Sequence, residues 1–225
     1  SLYRVRIHDP DVSYSSASEL GSPPKDKCLY SNRMSPAGIS MFYGASDCVT
    51  AILEIYKERG KEQRASCGEF VTLRDLKILD LTKLPGIPSL FDEERRRLRS
   101  ALIFLCGFAA DVSTPIHKDG REHIEYVPTQ AFAEYIRHIY KDSEGKPIDG
   151  IAYRSSKNPD GVNYVLFAEN KHCCDKEVES PSGFMTVEPW LVLGFVHVLD
   201  PAKVLKEYED TIRSRVHGLL GGVSW

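Results

Sequence analysis

The sequence predicts an α+β fold in which mostly antiparallel strands are flanked by helices. Strand-length apolar runs and amphipathic helical segments are mixed along the chain, without the regular alternation that builds a parallel βαβ sheet. A length of 225 residues, of which 42% are apolar, suffices for one large domain with a buried core. We therefore expect one domain over residues 1–225. Its first residues include neither an initiator methionine nor an apolar leader, which favours a segment excised from a longer chain.

In the N-terminal half, apolar residues first recur at every second position, as in a strand, and then at helical spacing. Its predicted elements, in order, are a strand over residues 3–7, a surface loop over 10–24, a strand over 39–43, a helix from 46 or 47 to about 59, and strands over 70–73 and 78–81. In the helix, Val49, Ile52 and Tyr56 recur at helical spacing and are expected to face the core. Glu54 then lies on the opposite, polar face.

The C-terminal half repeats both kinds of element. The predicted elements are helices over residues 92–106, from 129 onward and over 202–220, and strands over 148–153, 164–167 and 192–199. In the first helix we expect Leu98, Leu102 and Leu105 to point inward and the three arginines at 95–97 to point outward. Thr129 follows a proline and is suited to cap the second helix.

Charge and hydropathy argue against two classes of partner. The net charge is −3 and the isoelectric point is near 6.2, whereas proteins that grip nucleic-acid backbones or anionic membranes present net basic faces. The most apolar run, residues 190–198, is far shorter than the roughly 18–20 apolar residues of a membrane-spanning helix. We expect neither nucleic acid nor a membrane as a partner.

The six cysteines are expected to be reduced thiols. They are scattered, and the adjacent pair Cys173 and Cys174 is poorly suited to a disulfide framework. Such usage indicates the cytoplasm, where thiols are kept reduced. The string from His172 to Asp175 offers zinc-binding side chains, but no CxxC pair elsewhere completes a tetrahedral set, so no metal is expected.

Three segments place an unusual polar group among turn formers. Arg33 lies in a turn before a strand, where a guanidinium presents a fixed set of donors suited to a diphosphate. Tyr43 ends a strand just before the helix of Glu54 and offers a flat ring with a hydroxyl. Ser155 leaves another strand, yet no GxSxG motif surrounds it or Ser156, so a hydrolase nucleophile is not indicated. Each residue alone is better explained as an exposed or turn-forming residue than as a functional one.

The order and spacing of these residues carry more information than any one of them. The matching blocks are Arg33-x-Ser35-x-x-Gly38, Phe42-Tyr43-x-Ala45, Ala51-x-x-Glu54, and Tyr153-x-Ser155 ahead of Pro159-x-Gly161-x-Asn163. Together they resemble the RES-domain family, which is named for its arginine, glutamate and serine. The resemblance extends over residues 2–199 and rests on four separated blocks in the same order.

This resemblance implies a fold similar to that of ADP-ribosylating bacterial toxins. It also implies an enzyme that consumes NAD by hydrolysis or phosphorolysis, often as the toxin of a toxin–antitoxin pair. Position by position, Arg33, Glu54 and Ser155 match the naming residues and Tyr43 matches the aromatic of the second block. One position departs from the family, because Arg154 stands where proline is common.

Further residues of these blocks are expected to bind the substrate. They are Ser35 and Asn163, together with Ser156, which could take the place of Ser155 beside the unusual Arg154. Residues 123–130 and 134–137 resemble the branch of the family that carries an additional N-terminal helical domain.

The residue types suit cleavage of the nicotinamide–ribose bond. The transition state resembles an oxocarbenium ion, which a nearby carboxylate stabilises, and Glu54 is the only acid in the matched blocks placed for this role. Arg33 would grip the diphosphate, Tyr43 would cover the nicotinamide, and Ser155 would bond the ribose end. Nicotinamide leaves as a neutral molecule, so no general acid is demanded. NAD is then a substrate and no cofactor is required.

The sequence leaves three points open. The acceptor of the ribosyl group could be water, phosphate or a protein, the last of which would make the chain an ADP-ribosyltransferase. An antitoxin protein is a further expected partner. The alternative from another class is a non-catalytic nucleotide- or RNA-binding module that uses the arginines at 95–97, although such a run is more often a solvated helix face.

Overall fold

One sheet organises the described part of the chain. The structure, a computed structural model, describes residues 1–114, 122–176 and 188–220, without the side chains of 122, 123 and 216–220. The strands in this part are β1 (Leu2–His8), β2 (Phe42–Ala45), β3 (Arg64–Thr72), β4 (Ile78–Asp80), β5 (Gly150–Arg154), β6 (Val162–Leu166), β7 (Cys173–Asp175) and β8 (Leu191–Leu199). The helices are α1 (Ala17–Leu20), α2 (Cys48–Ile55), α3 (Arg99–Ser113), α4 (Glu122–Glu125), α5 (Val127–His138) and α6 (Pro201–Leu220).

The strands lie in the order β4-β5-β6-β2-β1-β3-β8-β7. All pairings are antiparallel except those at the two edges, where β4 pairs with β5 and β7 with β8 in parallel. The predicted α+β fold, with mostly antiparallel strands and flanking helices, is confirmed. The parallel edge pairs were not predicted.

The site described below is built on one face of this sheet. Side chains of neighbouring strands alternate between the faces, so Tyr43 of β2 and its β6 partner Val165 point to the same side. α2 packs on this side through the buried Ala51 and Ile52, against Val5 of β1. Farther along the same face, α3 and α5 cover a second cluster that includes Phe108, Ile136, Ile151 and Val165.

Helix α2 begins where the sequence predicts and ends earlier. Asp47 caps it, because the Asp47 carboxylate accepts hydrogen bonds from both the backbone N–H and the hydroxyl of Thr50, each at 2.7 Å. The predicted end near residue 59 is wrong, since Tyr56 is already extended. The Lys157 ammonium donates to the Leu53 carbonyl at 2.9 Å, so this carbonyl is satisfied without a further helical turn.

The predicted surface loop over residues 10–24 contains the short helix α1. Its Ala17 and Leu20 are buried, and the Glu19 carboxylate accepts from the backbone N–H of Ser16 at 3.1 Å, as in a capping box. Asp175 of β7 accepts from the Ala17 N–H at 2.7 Å. The strand β7, which the sequence did not predict, thus holds α1.

Two other predicted elements have different bounds. The strand predicted at 70–73 is only the end of the longer β3, and the strand predicted at 39–43 begins at Phe42. The helix predicted at 92–106 is shifted, because Asp92 instead holds a turn by accepting from the Arg95 N–H at 2.9 Å. α3 starts later and continues to bury Phe108 and Val112, whereas Leu98, expected inward, is exposed.

The cysteines differ from the expectation of six reduced thiols. Cys48 and Cys67 form a disulfide that joins the start of α2 to β3, so the expectation is wrong for this pair. The remaining four, Cys28, Cys106, Cys173 and Cys174, are free thiols. Within the described ranges, no group of three or more His, Cys, Asp or Glu is arranged to hold a metal ion.

None of the helices in the described ranges combines the length and the apolar character needed to cross a lipid bilayer.

Candidate active site

Glu54 is the centre of a small hydrogen-bonded group on the last turn of α2. Its Oε1 accepts from the Ser155 hydroxyl and from the Asn163 side-chain amide, each at 2.7 Å. Ser155 follows β5 and Asn163 lies on β6, and both are more than nine-tenths buried. No hydrogen bond to Oε2 forms among the described residues, so the protein fixes the carboxylate through Oε1.

The loop after β5 directs the Ser155 hydroxyl. The Oγ atom accepts backbone N–H groups from Lys157 at 3.1 Å and Asn158 at 3.0 Å, so its own proton is the one donated to Glu54. Ser156 is exposed and makes no side-chain hydrogen bond in the described ranges. Of the two serines left open by the sequence, Ser155 is therefore the one in contact with Glu54.

This loop also lies directly against α2. A Cβ atom at Gly161 would collide with the side chain of Thr50, so only glycine permits the observed approach. The Ser155 N–H closes the loop by donating to the Gly161 carbonyl at 3.0 Å. Gly161 of the fourth sequence block is therefore required for the close packing of this loop against α2.

Tyr43 and Ser35 are paired through their hydroxyl groups. The two oxygens lie 2.8 Å apart, and Ser35 is fully buried. Burial raises the pKa of Tyr43 to about 12, so its hydroxyl stays protonated at neutral pH. Ser35, predicted to bind the substrate, touches Tyr43 and thereby fixes the ring.

Arg33 is held by the C-terminal end of α3. Its two terminal nitrogens donate to the carbonyls of Asp111 at 2.8 Å and Thr114 at 2.7 Å. A helix C-terminus is partially negative, so this contact stabilises the cation. Two of the five guanidinium N–H groups are used in this way. Arg33 makes no hydrogen bond to Glu54, Tyr43 or Ser155.

A model of the RES domain family matches residues 1–188. This chain belongs to the RES domain family. RES domains have an ADP-ribosyltransferase-like fold and are generally associated with NAD-related toxin function, which makes this chain an enzyme that acts on NAD. No curated protein and no solved structure matches the chain. The match does not test the branch with an additional N-terminal helical domain, which stays a prediction.

Tyr153 is a buried tyrosine of β5 and lies opposite Asn163 of β6. Burial raises the pKa of its hydroxyl, and the charges of Glu54 and Arg33 also act on it, with opposite signs. Tyr43 also raises this pKa. Sequence reasoning noted Tyr153 only as part of the fourth block. Its pairing with Asn163 places both side chains on the same face of the sheet.

Arg4 of β1 lies on the other face of the sheet, because its guanidinium is placed over the ring of Phe42, whereas the adjacent Tyr43 ring points to the face of Glu54. It lies on β1 and donates to the Tyr43 carbonyl at 2.7 Å, next to the strand that carries the Tyr43 ring. Its Nε is buried and has no partner among the described residues. Burial, and then the like charge of Arg6, lower the pKa of Arg4 to about 10. Arg4 therefore holds the backbone of β2 from the opposite face and does not belong to the group around Glu54.

Proposed function

We propose that this RES domain cleaves the bond between nicotinamide and ribose in NAD. The observation that supports this most directly is the Glu54 carboxylate, with Oε1 held by Ser155 and Asn163 and Oε2 unpaired among the described residues. In the reaction, the bond from ribose C1′ to the nicotinamide nitrogen breaks and its electron pair neutralises the ring. A water or phosphate oxygen then bonds to C1′, and the water proton passes to solvent.

Glu54 stabilises the cation that develops at the ribose. A carboxylate beside an oxocarbenium-like sugar lowers the barrier most when it is already oriented, because no reorganisation is needed during the reaction. Ser155 and Asn163 provide that orientation from two different segments of the sheet. In this proposal Asn163 acts through Glu54.

Arg33 and Tyr43 bind the remaining parts of NAD. The Arg33 guanidinium, fixed by two carbonyls of the α3 end, directs its remaining N–H groups to the diphosphate. The Tyr43 ring, oriented by Ser35, covers the nicotinamide. These two roles rest on the chemistry of the side chains and on the family resemblance.

The first test replaces Glu54 with glutamine, which preserves the shape of the side chain and removes its negative charge. We expect kcat for NAD cleavage to fall about 100- to 1,000-fold, as for loss of one preorganised electrostatic group. Glu58→Gln is the matched control, because Glu58 is an exposed glutamate just beyond α2. Chromatography of nicotinamide and of the ribosyl product gives both rates. Equal turnover in Glu54→Gln and Glu58→Gln would contradict the proposal.

The same assay distinguishes the acceptors. ADP-ribose as the product in phosphate buffer indicates water, and a phosphorylated ADP-ribose indicates phosphate. Labelled NAD that leaves its label on a macromolecule would instead indicate a protein ADP-ribosyltransferase. Salt-dependent RNA binding without NAD turnover would indicate the non-catalytic alternative.

We further propose that the enzyme acts in the cytoplasm as a toxin restrained by an antitoxin protein. The basis is the association of RES domains with NAD-related toxin function. Expression of the wild type in bacteria is expected to deplete NAD and stop growth, and Glu54→Gln is expected to do neither. Growth arrest by both proteins would show that toxicity does not depend on NAD cleavage.

A further inference from the structure

Helix α6 reaches the loop that directs Ser155, although α6 lies beyond the residues that the RES family model matches. We propose that Tyr208 of α6 is a positioning residue, which acts through Asn158 to hold the Ser155 loop against Glu54. This inference rests on the proposed NAD cleavage for its kinetic consequence. The contacts that carry it are independent of the substrate.

Asn158 connects α6 to α2. The Tyr208 hydroxyl donates to the Asn158 side-chain oxygen at 3.0 Å, and the Asn158 side-chain nitrogen donates to the Thr50 hydroxyl at 2.7 Å. Asn158 is almost fully buried, so its amide cannot exchange these partners for water at low cost. The Thr50 hydroxyl donates in turn to Asp47, the cap of α2.

Asn158 also determines where the Ser155 hydroxyl points. Its backbone N–H donates to Ser155 Oγ at 3.0 Å, and its side-chain oxygen accepts from the Asp160 N–H at 3.2 Å. The side chain and the backbone of one residue therefore link Tyr208 to the serine that contacts Glu54. Arg215 of α6 makes a second contact with this loop through Asp160 at 3.1 Å.

The clearest variant is Tyr208→Phe, which removes only the hydroxyl. Loss of one hydrogen bond to a neutral acceptor should lower kcat about 3- to 10-fold, because the loop then samples positions in which Ser155 leaves Glu54. KM for NAD should stay within about 2-fold, since Tyr208 is not expected to touch NAD. The matched control is Tyr140→Phe, because Tyr140 is exposed and its hydroxyl has no partner among the described residues. We expect wild-type kinetics for this control.

A double-mutant cycle separates positioning from a general loss of stability. If Tyr208 acts through Ser155, its replacement should have no further effect on kcat in a Ser155→Ala background. A kcat of Tyr208→Phe equal to that of Tyr140→Phe would overturn the inference. An equal loss with and without Ser155 would also overturn it.

Amide hydrogen exchange measures the same loop without any substrate. In Tyr208→Phe, the amides of residues 155–161 should exchange faster while those of β1 and β3 stay unchanged. If the wild type does not cleave NAD, the proposed function fails and the exchange result alone decides the positioning role. Unchanged exchange in residues 155–161 would overturn that role in either case.

Discussion

The two oxygens of Glu54 have different surroundings. Oε1 receives two hydrogen bonds from buried donors, whereas Oε2 receives none from the described residues. The donors come from residues 101 and 109 positions later in the chain, so the orientation of the carboxylate depends on the folded sheet. A carboxylate held in this way acts electrostatically at a fixed position.

At the scale of single residues, Ser155 and Ser156 should differ in function. We expect Ser155→Ala to lower kcat for NAD cleavage about 10-fold or more, because Glu54 loses a donor and two loop N–H groups lose their acceptor. Ser156→Ala should be close to wild type, since its side chain is exposed. Steady-state kinetics of both variants measure the difference, and a larger defect in Ser156→Ala would reverse the assignment.

The sequence predicts which residues form the candidate site, but it does not predict their contacts. Family spacing predicts Arg33, Tyr43, Glu54 and Ser155, and it leaves Ser155 and Ser156 unresolved. Only the loop geometry shows which hydroxyl reaches Glu54, because the two serines are adjacent and residue type does not distinguish them. The contact of Arg33 with α3 was not predicted, since it joins segments 78 or more residues apart.

At the scale of elements, the limits of α2 follow two kinds of interaction. Its start is local, because Asp47 caps an amide three residues away, and such a signal is visible in the sequence. Its end depends on Lys157, which is about 100 residues distant. The same contrast explains β7, a short strand whose position is fixed by pairing with β8 and by the contact of Asp175 with α1.

His172, which lies just before β7, is expected to make the stability of the protein depend on pH. His172 Nδ1 accepts the Glu169 N–H at 2.8 Å, and its ring stacks on Trp190 at 4.8 Å. Burial lowers the pKa of His172, and the charge of Lys171 lowers it further. Glu169 opposes this shift, and Arg74 and Arg137 add to it.

The folded state therefore binds this proton less tightly than the unfolded chain. As the pH falls below about 6.5, the ordinary value for histidine, the unfolded state takes up more protons and the contribution of His172 to stability is lost. His172→Asn keeps an acceptor but does not titrate. Between pH 7.5 and 5.5, the Tm of His172→Asn should fall less than the Tm of the wild type or of the exposed control His138→Asn. Equal decreases in all three proteins would contradict this account.

At the scale of the whole molecule, the disulfide links a helix to the sheet beneath it. Cys48 and Cys67 are 19 residues apart, and closing a loop of this length stabilises a protein by roughly 3 kcal/mol in the chain-entropy description. Reduction should lower the free energy of unfolding by about this amount in a urea titration. The double variant Cys48→Ala, Cys67→Ala should not respond to the reductant, and an unresponsive wild type would contradict the prediction.

The fold class could be predicted from sequence, and the strand order could not. Apolar periodicity reports which side of a strand is buried, but it does not report the neighbouring strand. β1, for example, pairs with β2 on one side and with β3 on the other, and both partners are distant in sequence. The bounds of β3 were missed because its central residues, including Cys67 and Gly68, lie in the sheet interior and show little alternation.

The position of β6 in the sheet has a consequence for synthesis on the ribosome. Glu54 is synthesised early, whereas Ser155 and Asn163 follow about 100 residues later. Strand β2 can pair with β6 only after β6 has been made. At typical elongation rates of roughly 5–20 residues per second, this interval lasts several seconds. A nascent RES domain that ends before Ser155 therefore carries Glu54 without either donor, and the carboxylate becomes oriented only after β5 and β6 have been made.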